Sequence, residues 1–542
     1  MLDRIVPMLH GRWRSATFSS TSLSSQSNIV SVASPPSDDG FMSARAAGAT
    51  FPFFHPLSVA VDLAERSEGE AGPSVTTVYL RFKIALMLRQ EHAAMEHLEQ
   101  LTKSGDFDLD FMILAALESQ EAAAYRCAGK ALLAMHSEVA RRGESNLAGY
   151  EGNILRNAIA VCQKWQAQCS AAGNTESGSI AGGAVPHIAE LMELARLRLG
   201  QVGATRFFGV DEAAAAAPEG AASSSSFGSA AARWFACTAW NLALEETTSE
   251  RWATAGQLFS AAATFFPACG GSGGGSGGAG DTKETLKLAH LLAVVTSLEA
   301  FEANRSSVHE LERAEKHLKA WKEASSALSA TGTKRSSSDK MQLYLHMLEF
   351  TLRLFQKDAA RLSKILDACQ GFAEAGGEET ILRLAYSALK HNDGSAELTA
   401  VTKQALLLAL RVLLAKASPD IKVASEVIRR VVEVLHAEDQ ELLRVFAEAA
   451  GILRNTSAGE YPREEAAWLV AKAWNKGVSL SKLQSYDDAV EFMRAGLSLV
   501  DVGVAHNASL DENKARMQKE CAEVERRIRT STTPDTAMPD AA

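Results

Sequence analysis

Two stretches of the chain, more than two hundred residues apart, carry one spaced signature without a gap. Trp240-Asn241 is followed by Ala243, Trp252, Ala255 and Ala262. Trp474-Asn475 is followed by Gly477, Tyr486, Ala489 and Gly496, so both runs place small, aromatic, small and small residues at +3, +12, +15 and +22 from the tryptophan. A pattern of this length has a mechanical meaning. A helical hairpin needs a small residue where its first helix touches its second and an aromatic near the turn to wedge the two together. It also needs small residues on the second helix where the next hairpin packs.

The segment 473–497, AWNKGVSLSKLQSYDDAVEFMRAGL, follows the tetratricopeptide pattern at Gly477, Tyr486, Ala489 and Gly496, with its tryptophan one position from the usual place. Apolar residues recur at helical spacing through 79–98, 111–117, 122–135, 154–165 and 188–199. Helical pairs follow at 286–301 with 308–328, 343–355 with 359–369, 381–389 with 405–414, and 421–435 with 442–453. Breaks at Gly376-Gly377, Asp393-Gly394 and Ser418-Pro419 suit helix stops and starts. No segment of comparable length shows the period-two, β-branched alternation of a strand. The fold class expected is all-α, a tetratricopeptide-like α-solenoid of stacked helical hairpins.

Low-complexity runs divide the chain. The expected order is a disordered segment at 1–55, then N-terminal helical repeats at 56–269 with an Ala/Ser insertion at 211–230. A Gly/Ser linker follows at 270–280, C-terminal repeats at 281–505, a capping helix at 506–530 and a disordered tail at 531–542. The first fifty residues hold Arg4, Arg12, Arg14 and Arg45 with a single acid, Asp3, before Asp38. That composition suits a disordered tail, a mis-chosen start codon or a mitochondrial transit peptide.

A net charge of -10 and a pI near 5.8 argue against direct nucleic-acid binding. The seven cysteines, Cys127, Cys162, Cys169, Cys237, Cys269, Cys369 and Cys521, form no C-x-x-C pair and read as reduced core thiols. The richest apolar stretch, 405–415, is interrupted by Arg411 and is too short to span a membrane. Nothing resembles a phosphate loop, a nucleophile elbow or a metal-ligand spacing. His92 and His97 are five apart and fall on different faces of a helix, and Asn241 and Asn475 are too far apart to form one carboxylate clamp. No catalytic, cofactor-binding or metal residue, no small-molecule substrate and no membrane partner are expected. An array without a reactive site works by presenting a surface to other proteins.

The run FACTAWNLALEETTSERWATAGQLFSAAATFF at 235–266 resembles the meiotic tetratricopeptide proteins called sporulation-specific protein 22, also known as Zip-four or testis-expressed protein 11. YLRFKIALMLRQEHAAMEHLEQL at 79–101 and the block 118–166, with ILRNAIAVC, resemble the same family's early helices. The resemblance runs in order over 75–500. It implies a non-enzymatic nuclear scaffold on meiotic chromosomes that links recombination intermediates to synaptonemal-complex assembly and promotes crossovers. Its partners would be other proteins of the meiotic recombination and synapsis machinery. Only the repeat-signature positions carry over, and they are structural. The other reading of the residues is a general tetratricopeptide adaptor or co-chaperone of the cytoplasm or mitochondrion.

The repeat alignment makes one residue critical. Ala489→Leu is expected to overpack the contact between the two helices of its hairpin and to cost about 1 to 3 kcal/mol. The check is the midpoint of thermal unfolding, and an unchanged midpoint would mean that the alignment is wrong.

Overall fold

The computed structural model describes residues 59, 74–103, 109–142, 150–171, 184–208, 225–269, 278–329, 338–371, 377–416, 418–435 and 438–532. The expected N-terminal segment 1–55, most of the 211–230 insertion, residues 270–277 of the linker and 533–542 of the tail lie outside them. Among the described residues all regular structure is helical, with nineteen α-helices, two short 3-10 turns and no strand.

The chain divides into two compact units, Met1–Ser104 and Gly105–Ala542. In the first, α1 (Val75–Met87) and α2 (Glu91–Lys103) pack as a hairpin. It closes on Phe82, Leu86, Ala94, Leu98 and Leu101, all buried. The second unit begins with α3 (Leu109–Glu121), α4 (Tyr125–Arg142), α5 (Tyr150–Ala171) and α6 (Ala184–Phe208). Gly203, at φ +79°, breaks α6 near its end and turns Phe207 and Phe208 into a ring cluster with Phe235. Next come α7 (Ser225–Thr248), α8 (Trp252–Phe265), a 3-10 turn (Phe266–Cys269), α9 (Gly278–Ala303) and α10 (Val308–Ser329). The helices α11 (Ser338–Gln356), α12 (Ala359–Gln370), α13 (Glu378–Lys390) and α14 (Ala396–Leu414) follow. Then come α15 (Ile421–Val434), α16 (Asp439–Asn455), α17 (Arg463–Lys482), α18 (Tyr486–Gly503) and α19 (Asp511–Thr532).

From α7 onward the helices pack in sequence-adjacent pairs, and the pairs stack in two layers. First helices touch first helices, α9 with α11, α11 with α13 and α15 with α17. Second helices touch second helices, α12 with α14 and α16 with α18. This is an all-α solenoid of tetratricopeptide type. The terminal helix α19 lies on α18 and buries Met517, Cys521 and Val524 along one face.

Five turns share one backbone. Arg89, Ala123, Glu250, Lys357 and Gln484 are the only non-glycine residues with positive φ among those described, and each stands two residues before the first residue of a second helix. In each, the next residue's N–H reaches back five positions to a carbonyl, as from Gln90 to Ala85, Ala124 to Ser119, Arg251 to Glu246, Asp358 to Arg353 and Ser485 to Leu480. The positive-φ residue's own N–H reaches back three. The two bonds together satisfy carbonyls that the helix end would leave bare, an arrangement that normally takes glycine.

The strain in these turns can be relieved. A left-handed backbone costs a non-glycine residue roughly 1 to 2 kcal/mol, so Gln484→Gly is expected to stabilise the protein by about 1 kcal/mol, less the entropy glycine loses on folding. A rise in the denaturant midpoint at unchanged m checks it.

Candidate interaction face

The signature residues fall into two sets. Ala243, Ala255, Ala262 and Ala489 are wholly buried, Trp240 is 2% exposed, and Gly477 and Gly496 are buried. A Cβ on Gly477 would stand 2.8 Å from Met493 Cγ and 2.9 Å from the Ala489 carbonyl oxygen, so α17 and α18 touch there through backbone. Gly496 faces the Trp474 backbone and ring, with a Cβ at 3.4 to 3.6 Å, ordinary contact. In the first hairpin Trp240 meets Phe259 edge-on, with centroids 5.4 Å apart. Trp252, Trp474 and Tyr486 are half-buried. Asn241 and Asn475 are exposed.

A third hairpin, α3–α4, uses the same register without the Trp-Asn pair. Ala116 and Ala128 are buried and Tyr125 opens α4, at the offsets of Gly477, Ala489 and Tyr486. The shared +9 and +12 spacing from Ala116 was the available signal.

The structure adds a position to the signature. Six residues before each signature tryptophan stands another, Trp234 and Trp468. Each is half-buried, and each lies two helical turns before the exposed asparagine, so Trp234 with Asn241 and Trp468 with Asn475 share the outer face of α7 and of α17. Each ring is covered by an arginine two helices earlier in the chain. Arg156 on α5 stands 5.1 Å from the Trp234 centroid, and Arg429 on α15 stands 4.7 Å from that of Trp468. The result is a ledge made twice, with a guanidinium, an indole and a carboxamide in a row.

The ledges differ in charge. Arg429 donates through Nε to Glu465 at 2.8 Å, and Lys472 flanks Trp468 at 5.4 Å. Among the described residues no carboxylate pairs with Arg156, and burial lowers its pKa from the usual arginine value. On α15, Arg430 donates to Glu433 at 2.8 Å.

One buried polar cluster resembles reactive chemistry. Ser260 Oγ on α8 lies 2.8 Å from His317 Nε2 on α10, and His317 Nδ1 lies 2.7 Å from His290 Nδ1 on α9. The first distance is that of a nucleophile and its base. Ser260 is only 7% exposed inside a helix, and among the described residues no carboxylate is bonded to His317. Burial, then His290 and the cations Lys316, Arg313 and Arg196, push His317 down to about 3, and burial with Lys316 pushes His290 to about 4. An imidazole held that far below its ordinary value is a weak general base. The chain of hydrogen bonds joins three helices and acts as packing.

Among the described residues no group of three or more His, Cys, Asp or Glu side chains could hold a metal ion, and no helix is long and apolar enough to cross a membrane. No protein-family model matches the sequence. Among solved structures, the chain is similar to a circular tandem repeat protein with novel repeat topology and enhanced subunit contact surfaces. The identity is 10%, over 88% of this chain and 98% of that one, with a TM-score of 0.23. It is also similar to yeast Tom70, at 11% identity over 85% of this chain and 97% of that one, with a TM-score of 0.19. Superpositions this loose carry no functional argument.

The histidine chain sets an acid limit. Because both folded pKa values lie below that of a free imidazole, unfolding takes up protons, and the stability these groups contribute is complete above about pH 6.5 and lost as pH falls through about 4 and 3. His317→Gln is expected to flatten the fall in melting temperature between those limits. An unchanged slope would place the acid sensitivity elsewhere.

Proposed function

We propose that the protein is a non-enzymatic scaffold that binds other proteins, and that it does so in meiosis, promoting crossover formation and synaptonemal-complex assembly. The observation that carries the binding role is the ledge made twice, Arg156–Trp234–Asn241 and Arg429–Trp468–Asn475. Tryptophan and arginine are the residues most enriched among those that dominate binding energy, and here each pair is stacked before any partner arrives. An exposed asparagine beside them offers both a donor and an acceptor, which suits the peptide groups of an extended segment. The meiotic assignment is supported by the resemblance of 235–266 and 79–101 to the sporulation-specific protein 22 family.

The experiment is to tag the endogenous protein and image it in spread nuclei of meiotic prophase beside a marker of chromosome axes. Foci along paired axes are expected, and a cytosolic or mitochondrial signal with empty nuclei would remove the meiotic reading. Trp468→Ala tests the ledge. It is expected to disperse the foci and to weaken capture of axis proteins by about 30-fold, near 2 kcal/mol, with helicity close to wild type and a lowered melting point, because the ring also packs against the buried core. Foci that persist at full strength in a variant altered at both Trp234 and Trp468 would show that partners dock elsewhere.

A further inference from the structure

The first ledge lies in a part of the chain whose charge runs against the rest. Helices α4, α5 and α7 carry seven arginines and lysines and four glutamates, in a protein of net charge -10. Three of those glutamates are engaged within the fold. Glu138 accepts from Arg141 at 2.6 Å and from Arg142 at 2.7 Å, Glu151 accepts from Arg198 of α6 at 2.8 Å, and Glu246 accepts from Arg251 at 2.6 Å. The fourth, Glu245, stands exposed in the last turn of α7. Against it these helices set Arg126, Lys130, Arg156, Lys164 and Arg233.

Two of these cations sit on indoles. Arg156 lies 5.1 Å from the Trp234 centroid, and Arg126 lies 6.0 Å from that of Trp165. Among the described residues neither donates to a carboxylate. A cation over a ring is held by its charge against the ring quadrupole rather than by its N–H donors. The planar fork of donors that fits a carboxylate is therefore still to be used. Around Arg156 on α5, Asn153 and Asn157 stand exposed within one turn, and their amides can pair with the peptide groups of a chain laid across the helix. Lys164, two turns further on, is exposed as well.

We propose that the Arg156–Trp234 ledge takes an acidic segment of a partner protein, an extended stretch that sets an aspartate or glutamate carboxylate on the Arg156 guanidinium and packs a neighbouring side chain on the Trp234 indole. The inference rests on the reading of the ledges as docking points and adds the chemistry of what docks at the first. The second ledge selects differently. There Glu465 already accepts from Arg429 at 2.8 Å, and Lys476 lies 2.7 Å from Asp439, so an incoming carboxylate meets the repulsion of those in place. Lys472 also lies over Trp468, at 5.4 Å, but from an exposed position where water and salt screen it.

The test exposes the full chain to an array of short peptides of random sequence and reads the composition of those it binds. Bound peptides are expected to be rich in aspartate and glutamate. The strongest acidic peptide is then titrated beside a counterpart with asparagine and glutamine in place of its acids. The wild type is expected to prefer the acidic form about tenfold. Arg156→Gln is expected to bind the two alike, and Arg156→Lys, which keeps the charge without the fork, to retain a preference of about threefold. Bound peptides with no acidic excess would overturn the proposal, as would an Arg156→Gln protein of wild-type melting temperature that still prefers acid tenfold. Either result would leave the ledges standing as docking points, whereas an array that captures no peptide would remove the docking reading along with the proposal.

Discussion

Backbone contact between the two helices of a hairpin is the constraint on which the rest depends. Where Gly477 meets the Ala489 carbonyl and Met493, no side chain of α17 separates it from α18. The turn between these two helices spans three residues, 483–485, and Gln484 within it takes the left-handed region. The same contact fixes what faces outward. Residues two apart on a helix lie about 200° around its axis, so with Gly477 pressed against α18, Asn475 points away from it. Trp474, three residues from Gly477, falls on the packed side. Trp468, seven before Asn475, falls on the outer side. The Trp-Asn pair thus straddles the boundary between the packed seam and the exposed face.

Hairpins were legible in the sequence wherever their seams are made of small residues set against aromatics, because that contrast has a fixed period. The α7–α8 and α17–α18 pairs could be aligned residue by residue for this reason. The turns were not legible. Arg89, Ala123, Glu250, Lys357 and Gln484 occupy a conformation that composition normally announces with glycine or asparagine, and none of them belongs to either type. Position is imposed on them by helix packing rather than by their own preference. Trp234 and Trp468 escaped for a different reason. Each reads as one more apolar residue on an amphipathic helix, and only the arginine from two helices earlier distinguishes it. The histidine chain joins residues 27 and 57 positions apart, which no local pattern reports.

Ion pairs recur at the junctions between hairpins. Lys322 meets Glu349 between α10 and α11, Lys357 meets Asp393 between two turns, and Lys403 meets Glu438 between α14 and the start of α16. Arg494 meets Glu525 between α18 and α19. At least one partner in each is well exposed, up to 67% for Lys357. Exposed pairs contribute at most about 1 kcal/mol each, so cohesion comes from the buried apolar surface that runs unbroken from Leu343 to Val524. The charges act on register instead. A hairpin slipped by one helical turn would keep much of its apolar contact but would set these groups against the wrong neighbours.

Register is what the ledges require. Arg429 covers Trp468 only while α15 and α17 keep their relative height, and Glu465 holds the guanidinium from the same helix that carries the indole. The second ledge is thus pinned both by the apolar seam and by an ion pair across the junction. The first lacks the ion pair. Arg156 is held over Trp234 by burial and by the ring itself, and its charge remains unneutralised by any described carboxylate. Arg156 is half-buried, and partial desolvation without a described counter-ion costs the free protein something. A carboxylate brought to Arg156 would offset that cost, which distinguishes the first ledge from the second although both are built on the same repeat.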